Sequence, residues 1–369
     1  MAPLSGAVGQ MVSAASMAQE FRASRGDARR TKRVQSIGVA IALAPQQSFP
    51  KIFPDEADLQ GFYDLIRNDQ VEWRAVFEPH KQRTLHRRAG FAEALVVHDT
   101  TDVGFRTYWP QQTRGRLLES TSRTHGLQLH TSLAVTCVGP TLPLGVVGVQ
   151  PLVHKSKLAV GNAATHAYWL DEGALFDNEH ERWFQAIEDA EQLCRGIGVR
   201  AIHAMDAETD SYGLLSWLNA ENYGFVLRVD AARRLEQRQA LREIGVLDVV
   251  LGERFRLRDG CSNDSQPPRL SRPARLTVRA GSVTLFRRKG PDNASWSPGG
   301  YDMQPPSLTL NFVEAVALDR PPGEKAVCWR LLTSEPMDTP EQALRVVELY
   351  RRRWVIEEFF KALDRPAAA

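Results

Sequence analysis

Between residues 92 and 229 the hydrophobic pattern of this chain switches repeatedly between period two and the helical period, and this limits the possible folds more than any other feature. Ala94–Val97, inside ALVVHDTTDVGF, reads as a buried strand ending at Asp99. Residues 127–136 (LQLHTSLAVT) alternate apolar and polar, Pro140 and Pro143 mark a turn, and 144–150 (LGVVGVQ) form a third strand. Residues 178–196 place Trp183, Ile187, Ala190 and Cys194 on one helical face. Residues 199–206 make a fourth strand ending at Asp206, followed by a short helix at 212–219 and a strand at 223–229.

Three strands, helix, strand, helix, strand is the order of an α/β ribonuclease-H-like core that lacks its last helix. Residues 230–326, rich in Arg, Pro and Gly with short alternating stretches (TVRAGSVTLF, SLTLNFVEAVAL), read as a β insertion. WRLLTS and one helix from about 340 to 363 then restore the core. Upstream, 21–72 reads as helical, with Phe62, Leu65 and Ile66 as an apolar stripe and Asp55 as an N-cap. The expected layout is therefore an N-terminal helical region at 1–72, a first core part at 73–229, the insertion at 230–326, and a return to the core at 327–369.

Two function classes lose support at once. Cys137, Cys194, Cys261 and Cys328 form no C-x-x-C pair, which argues against zinc and disulfide frameworks and fits a reducing cytoplasm. The longest clean apolar run, Ile37–Ala44, is too short to span a bilayer, and the first twenty residues hold no Lys or Arg to start a secretory signal. The formal net charge of +2 points to no partner, but its distribution does. RASRGDARRTKR (22–33) carries six basic side chains, Arg29, Arg30, Lys32 and Arg33 among them, against one acid. Lys81, Arg83, Arg87 and Arg88, the Arg-rich stretch 269–289, and Arg345 with Arg351–Arg353 continue the series. Basic clusters on separate elements can follow a phosphate backbone; a set of solvated faces is the alternative.

The chemistry rests on three carboxylates. Asp99 and Asp206 would project from strands that the core order sets side by side, and Glu357 lies in the helical YRRRWVIEEFFKAL. Such a trio is an oxygen-ligand site for Mg²⁺ beside a polyanion. On a continuous helix Tyr350, Arg353, Glu357 and Lys361 share one face. Trp354, Ile356 and Phe359 spread around the rest, which implies a helix buried on several sides with its ionic stripe toward a site. HERWF (180–184) lacks the second His of a zinc motif, and no glycine-rich phosphate loop is present.

YRRRWVIEEF resembles the Y-x2-R-x3-E signature of bacterial cut-and-paste DDE transposases of insertion sequences. VVHDTTD resembles their first-Asp motif and MDAETD their second, while GDARRTKR resembles the basic helix that grips transposon ends and FYDLIRND the helix that follows it. CWRLLTSEP and QALRVVELY resemble the approach to the signature. The resemblance implies that 1–72 binds transposon ends and that Asp99, Asp206 and Glu357 hold two Mg²⁺ ions, with Mn²⁺ as a substitute, for cleavage and strand transfer. It further implies that Tyr350 and Arg353 hold phosphates, that Arg228 lies near the site, and that Trp329 accommodates a flipped base. Arg29, Arg30, Lys32, Arg33 and Lys361 complete the implied DNA contacts. The implied partners are double-stranded DNA, both transposon ends and target, and a second protomer paired on it; the implied location is the bacterial cytoplasm, at the nucleoid.

The chain departs from the family pattern in places. Asp364 stands where the signature has Lys, Ala207 where Arg is usual, and RPAAA follows where the family continues into a helical pairing region. A truncated relative that binds transposon ends without catalysis, inhibiting an intact transposase, is thus a second expectation, and a free-standing metal nuclease a third.

Overall fold

The computed structural model describes residues 14–22, 28–45, 47–88, 90–104, 119–121, 124–152, 179–229, 241–251, 272–287, 304–319 and 327–363. Its centre is a mixed sheet. β1 (Glu93–Gly104) runs parallel to β5 (Arg200–Met205), and β5 parallel to β6 (Gly224–Arg228). β3 (Thr124–Val135) lies antiparallel on the other side of β1, with the short β2 (Glu119–Thr121) and β4 (Pro143–Leu152) both paired to β3. The order β4-β3-β1-β5-β6 is the ribonuclease-H-like core. Ala94–Val97 are buried on both sides of the strand because helices cover both faces of the sheet.

The alternation of β1 divides its residues between two layers. Leu95 and Val97 pack in front against Val346, Leu349, Ile356 and Phe360, which belong to α8 (Pro340–Arg352) and α9 (Val355–Leu363). Val96 packs behind with Ala190 and Cys194 of α6 (Glu179–Gly196). Behind β5 and β6, α6 meets α7 (Tyr212–Ala220) through Trp183, Phe184, Ile187, Leu214 and Leu218. The four residues expected on the buried face of α6, Trp183, Ile187, Ala190 and Cys194, are all buried.

The described strands of residues 230–326 do not build a layer of their own. These strands, β7 (Arg242–Leu251), β8 (Arg272–Phe286) and β9 (Ser307–Ala317), extend the core sheet edgewise. β10 (Cys328–Thr333) pairs antiparallel with β6 on one side and β9 on the other, so backbone bonding fuses the insertion to the core.

Two expectations about the site-bearing elements need correction. β1 does not end at Asp99: β3 keeps pairing with it, Asp99 opposite Thr131 and onward to Gly104 opposite Gly126. Its parallel partner β5 stops earlier, with Val97 opposite Ala204 as the last shared pair, so Asp99 lies just beyond the paired stretch. The helix at 340–363 is also broken. Thr339 and Gln342 close a capping box that starts α8, but Arg353 and Trp354 stand between α8 and α9. There the backbone tightens to i→i−3 bonds: Arg353 N donates to Tyr350 O at 3.0 Å and Ile356 N to Arg353 O at 3.1 Å. As a result α9 is amphipathic rather than buried on several sides. Ile356 and Phe360 face the core, while Trp354 is 41% exposed beside exposed Glu358 and Lys361.

The N-terminal helices are α1 (Ala14–Glu20), α2 (Ala28–Leu43), α3 (Phe49–Ile52), α4 (Glu56–Ile66) and α5 (Trp73–Arg88). Asp55 caps α4, accepting from Ala57 N and Asp58 N at 2.9 and 3.1 Å. The apolar stripe of α4 is narrower than expected. Phe62 is buried against Phe49 and Phe53, but Ile66, at the last turn, is exposed. Glu20 ties this region to the core by accepting from Arg83 Nε at 3.0 Å, Arg87 Nη1 at 2.6 Å and His80 Nδ1 at 2.8 Å. His80 Nε2 accepts from Val146 N of β4, so the single imidazole proton sits on Nδ1, facing Glu20. Gly145, at φ +147°, lets α5 come this close, since a Cβ there would strike the Thr84 hydroxyl. Among the described residues no helix is long and apolar enough to cross a membrane.

Candidate active site

The middle of β1, just past its pairing with β5, the residue that follows β5 and the first turn of α9 meet at one side chain, Arg353. Its Nη2 donates to Asp99 Oδ2 at 2.9 Å and lies 3.0 Å from Asp206 Oδ2; its Nη1 reaches Glu357 Oε1 at 3.3 Å. Three carboxylates far apart in sequence thus share one guanidinium. Thr100 N donates to Asp99 Oδ1 at 2.9 Å, and Ala207 N donates to Asp206 Oδ1 at the start of a one-turn 3₁₀ helix. Arg228, at the end of β6, adds a second cation, 2.7 Å from Asp206 Oδ1 and half exposed.

Burial sets the electrostatics. It pushes the Asp99 carboxyl up to about 7; Arg353 pulls the other way, and nearby Glu357 and Asp206 push it further up. Burial would discharge Arg353, but Asp99 and Asp206 outweigh it and hold the guanidinium above its ordinary range. Tyr350, buried one turn before Arg353, is raised to about 12 by burial and by the Asp206 charge. The site therefore concentrates negative charge in a place that hydrates it poorly.

Among the described residues no three acids, histidines or cysteines form a preformed metal cage, because Arg353 takes the centre. The donor chemistry nevertheless fits a divalent cation. Three carboxylates are hard oxygen ligands, and a buried Asp99 that resists ionisation is a group a cation would relieve.

The model of the transposase DNA-binding region matches residues 14–71, and that of the transposase DDE domain matches residues 185–366. The chain belongs to the DDE insertion-sequence transposases. The second match contains Asp206 and Glu357, while Asp99 lies upstream of it, on a strand that the fold itself brings to them. As a DNA-binding transposase it has DNA as its partner, and DDE chemistry requires a divalent metal ion.

Several residues expected to touch DNA are buried or paired within this transposase. Arg353 and Tyr350 are buried, and the terminal nitrogens of Arg353 are spent on carboxylates, not offered to phosphate. Trp329 is only 7% exposed; its ring stands edge-on to Tyr350 at 5.6 Å between centroids, so it is a core aromatic here rather than an open stacking platform. Lys361 pairs with Glu358 at 3.1 Å on the exposed side of α9. On α2, Arg29, Lys32 and Arg33 are exposed, and Arg30 donates to Gln70. The Arg33 guanidinium lies where a Cβ on Gly61 would be, so it also packs α2 on α4. Arg83 and Arg87 are partly neutralised by Glu20, and Asp364 lies outside the described residues.

Sequence reasoning missed one residue of this face. Thr131 stands directly opposite Asp99, so both side chains point the same way. It is buried, and among the described residues its hydroxyl has no hydrogen-bond partner. Only the strand register reveals it.

Proposed function

We propose that this transposase cleaves transposon-end DNA and transfers the strand by in-line displacement, with Asp99, Asp206 and Glu357 holding Mg²⁺. The observation that carries the reading is the convergence of these three carboxylates, from two strands and a helix, on one side chain. A divalent cation held there would polarise the scissile phosphate and favour the deprotonated nucleophile, and Mn²⁺ would serve as well. The chain's own residues do the rest. The paired middle of β1, the end of β5 and the first turn of α9 aim the carboxylates, and Arg228 offers an accessible guanidinium beside them for a phosphate oxygen.

In this proposal 1–72 grips the transposon end and 73–229 with 327–369 forms the catalytic core. Residues 230–326 extend its sheet, and the reaction takes place at the chromosome, in the cytoplasm, between paired protomers. Exposed Arg29 and Lys32 supply phosphate contacts, so replacing both by Ala should lower the slope of log affinity against log salt by about two. The test is labelled end DNA incubated with Mg²⁺ or Mn²⁺ and scored for nicks and hairpins. Products with the wild type that vanish in Asp206→Asn support the proposal; products that survive that change refute it.

One observation favours a second reading, end binding without catalysis: the place between the carboxylates is taken by Arg353. End binding with no product in either metal would select it.

A further inference from the structure

We infer that Arg353 is a built-in counter-cation, which positions the three carboxylates in the metal-free protein and is exchanged for the divalent ion when that ion binds. The inference rests on the proposal that these carboxylates hold a metal.

Geometry makes the two cations competitors. Both terminal nitrogens of Arg353 are engaged, Nη2 by Asp99 and Asp206 together and Nη1 by Glu357. The same oxygens would ligate a metal, and a guanidinium among them would repel it at short range. The side chain is 5% exposed and its Nε is buried without a partner among the described residues, so the carboxylates supply its polar anchorage there. Taking away such a cation leaves buried negative charge without compensation. The only other cation bridged to the trio among the described residues is Arg228, which reaches Asp206 and is screened by solvent.

The backbone allows the exchange. Arg353 lies in the two-residue interruption between α8 and α9, held by i→i−3 bonds. Tight turns of this kind inside a helix mark hinges more often than regular turns do. Arg353 can therefore turn away without breaking either helix, while Tyr350, at the buried end of α8, keeps the hinge docked on Trp329.

An arginine that merely braces the site and one that competes with the metal predict opposite results. Loss of a brace loosens the ligands and weakens metal binding; loss of a competitor strengthens it. Mn²⁺ binding is measured on the whole chain without DNA, by calorimetry and by the signal of free Mn²⁺, for wild type, Arg353→Gln, Arg353→Lys and Arg228→Gln. Arg353→Gln should bind Mn²⁺ about tenfold more tightly or better, through loss of a buried like charge, and more tightly than Arg228→Gln. Its melting temperature should fall in EDTA and recover with Mn²⁺. Arg353→Lys, which keeps the charge but not the forked geometry, should fall between; if the Gln variant does not fold, this variant decides. Equal or weaker Mn²⁺ binding by folded Arg353 variants overturns the exchange. Folded wild type and variants that all fail to bind Mn²⁺ overturn the metal reading itself, and the exchange with it.

Discussion

The two faces of the central sheet use alternate residues of the same strands and solve opposite electrostatic problems. In front, Asp99, Asp206 and Glu357 gather charge around Arg353. Behind, under α6, the next residues in line are buried histidines: His98 beside Asp99, His203 on β5 and His130 beside Thr131. Ser132 Oγ contacts His98 Nδ1 at 3.0 Å, His98 Nε2 contacts His203 Nδ1 at 2.8 Å, and His203 Nε2 reaches Glu191 of α6 at 3.1 Å. Trp183 packs against the rings of His98 and His130. Burial pushes His98 well below its ordinary range, with the neighbouring His203 adding to it, and burial pushes His130 to about 3. Both rings are therefore neutral. The comparison teaches that alternate residues of one strand can serve two layers: in front a cluster of carboxylates around a guanidinium, behind a hydrogen-bonded histidine chain that ends on Glu191.

The largest effect should come from the front. Asp206→Asn or Glu357→Gln should lower end cleavage by about a thousandfold or more, with end binding by gel shift unchanged. Residual cleavage close to wild type would remove these carboxylates from the reaction.

A back-face change should act on stability instead. His98→Ala leaves a cavity and strips Ser132 and His203 of a partner, so it should cost about 2–4 kcal/mol in denaturant unfolding. Mn²⁺ affinity of the folded fraction should stay put. A large shift in that affinity would mean that the two faces are coupled.

The pH dependence sharpens the same contrast. His130 titrates near 3 when folded and near its ordinary 6.5 when unfolded, so between those values the unfolded chain binds the extra proton. Its contribution to stability is complete above about 6.5 and declines as pH falls toward about 3. His130→Asn should flatten that acid limb by up to one proton, about 1.4 kcal/mol per pH unit. Identical limbs in the two proteins would mean that the buried ring carries no linkage.

The smallest effect belongs to Thr131, whose idle hydroxyl faces front. Thr131→Val keeps the shape and removes an unsatisfied group, so stability should rise by about 1 kcal/mol. Cleavage should fall several-fold if the hydroxyl serves the site. Unchanged cleavage would mark it as a packing position.

Much of the architecture was legible in the pattern of residues. Apolar runs placed β1 and β5, alternation placed β3, and the spacing of Trp183, Ile187, Ala190 and Cys194 placed α6, because burial is a local demand that each segment states for itself. Asp99 and Asp206 stood out because an acid that follows a buried run is conspicuous wherever the chain goes next, and Glu357 because it shares a helical face with Tyr350 and Arg353. What those acids contact was not legible. That Arg353 sits among them, that Thr131 faces Asp99, that β7–β9 join the core sheet and that Trp329 is buried all depend on strand register and on the break after Arg352. A one-residue slip or a turn of a helix moves every side chain to another face. The sequence by itself determined which segments become strands and helices and which side chains must be buried. Only the tertiary structure decided that Arg353 sits among the three carboxylates, because a buried charge must find its partner in space, across more than 250 residues of chain from Asp99 to Arg353.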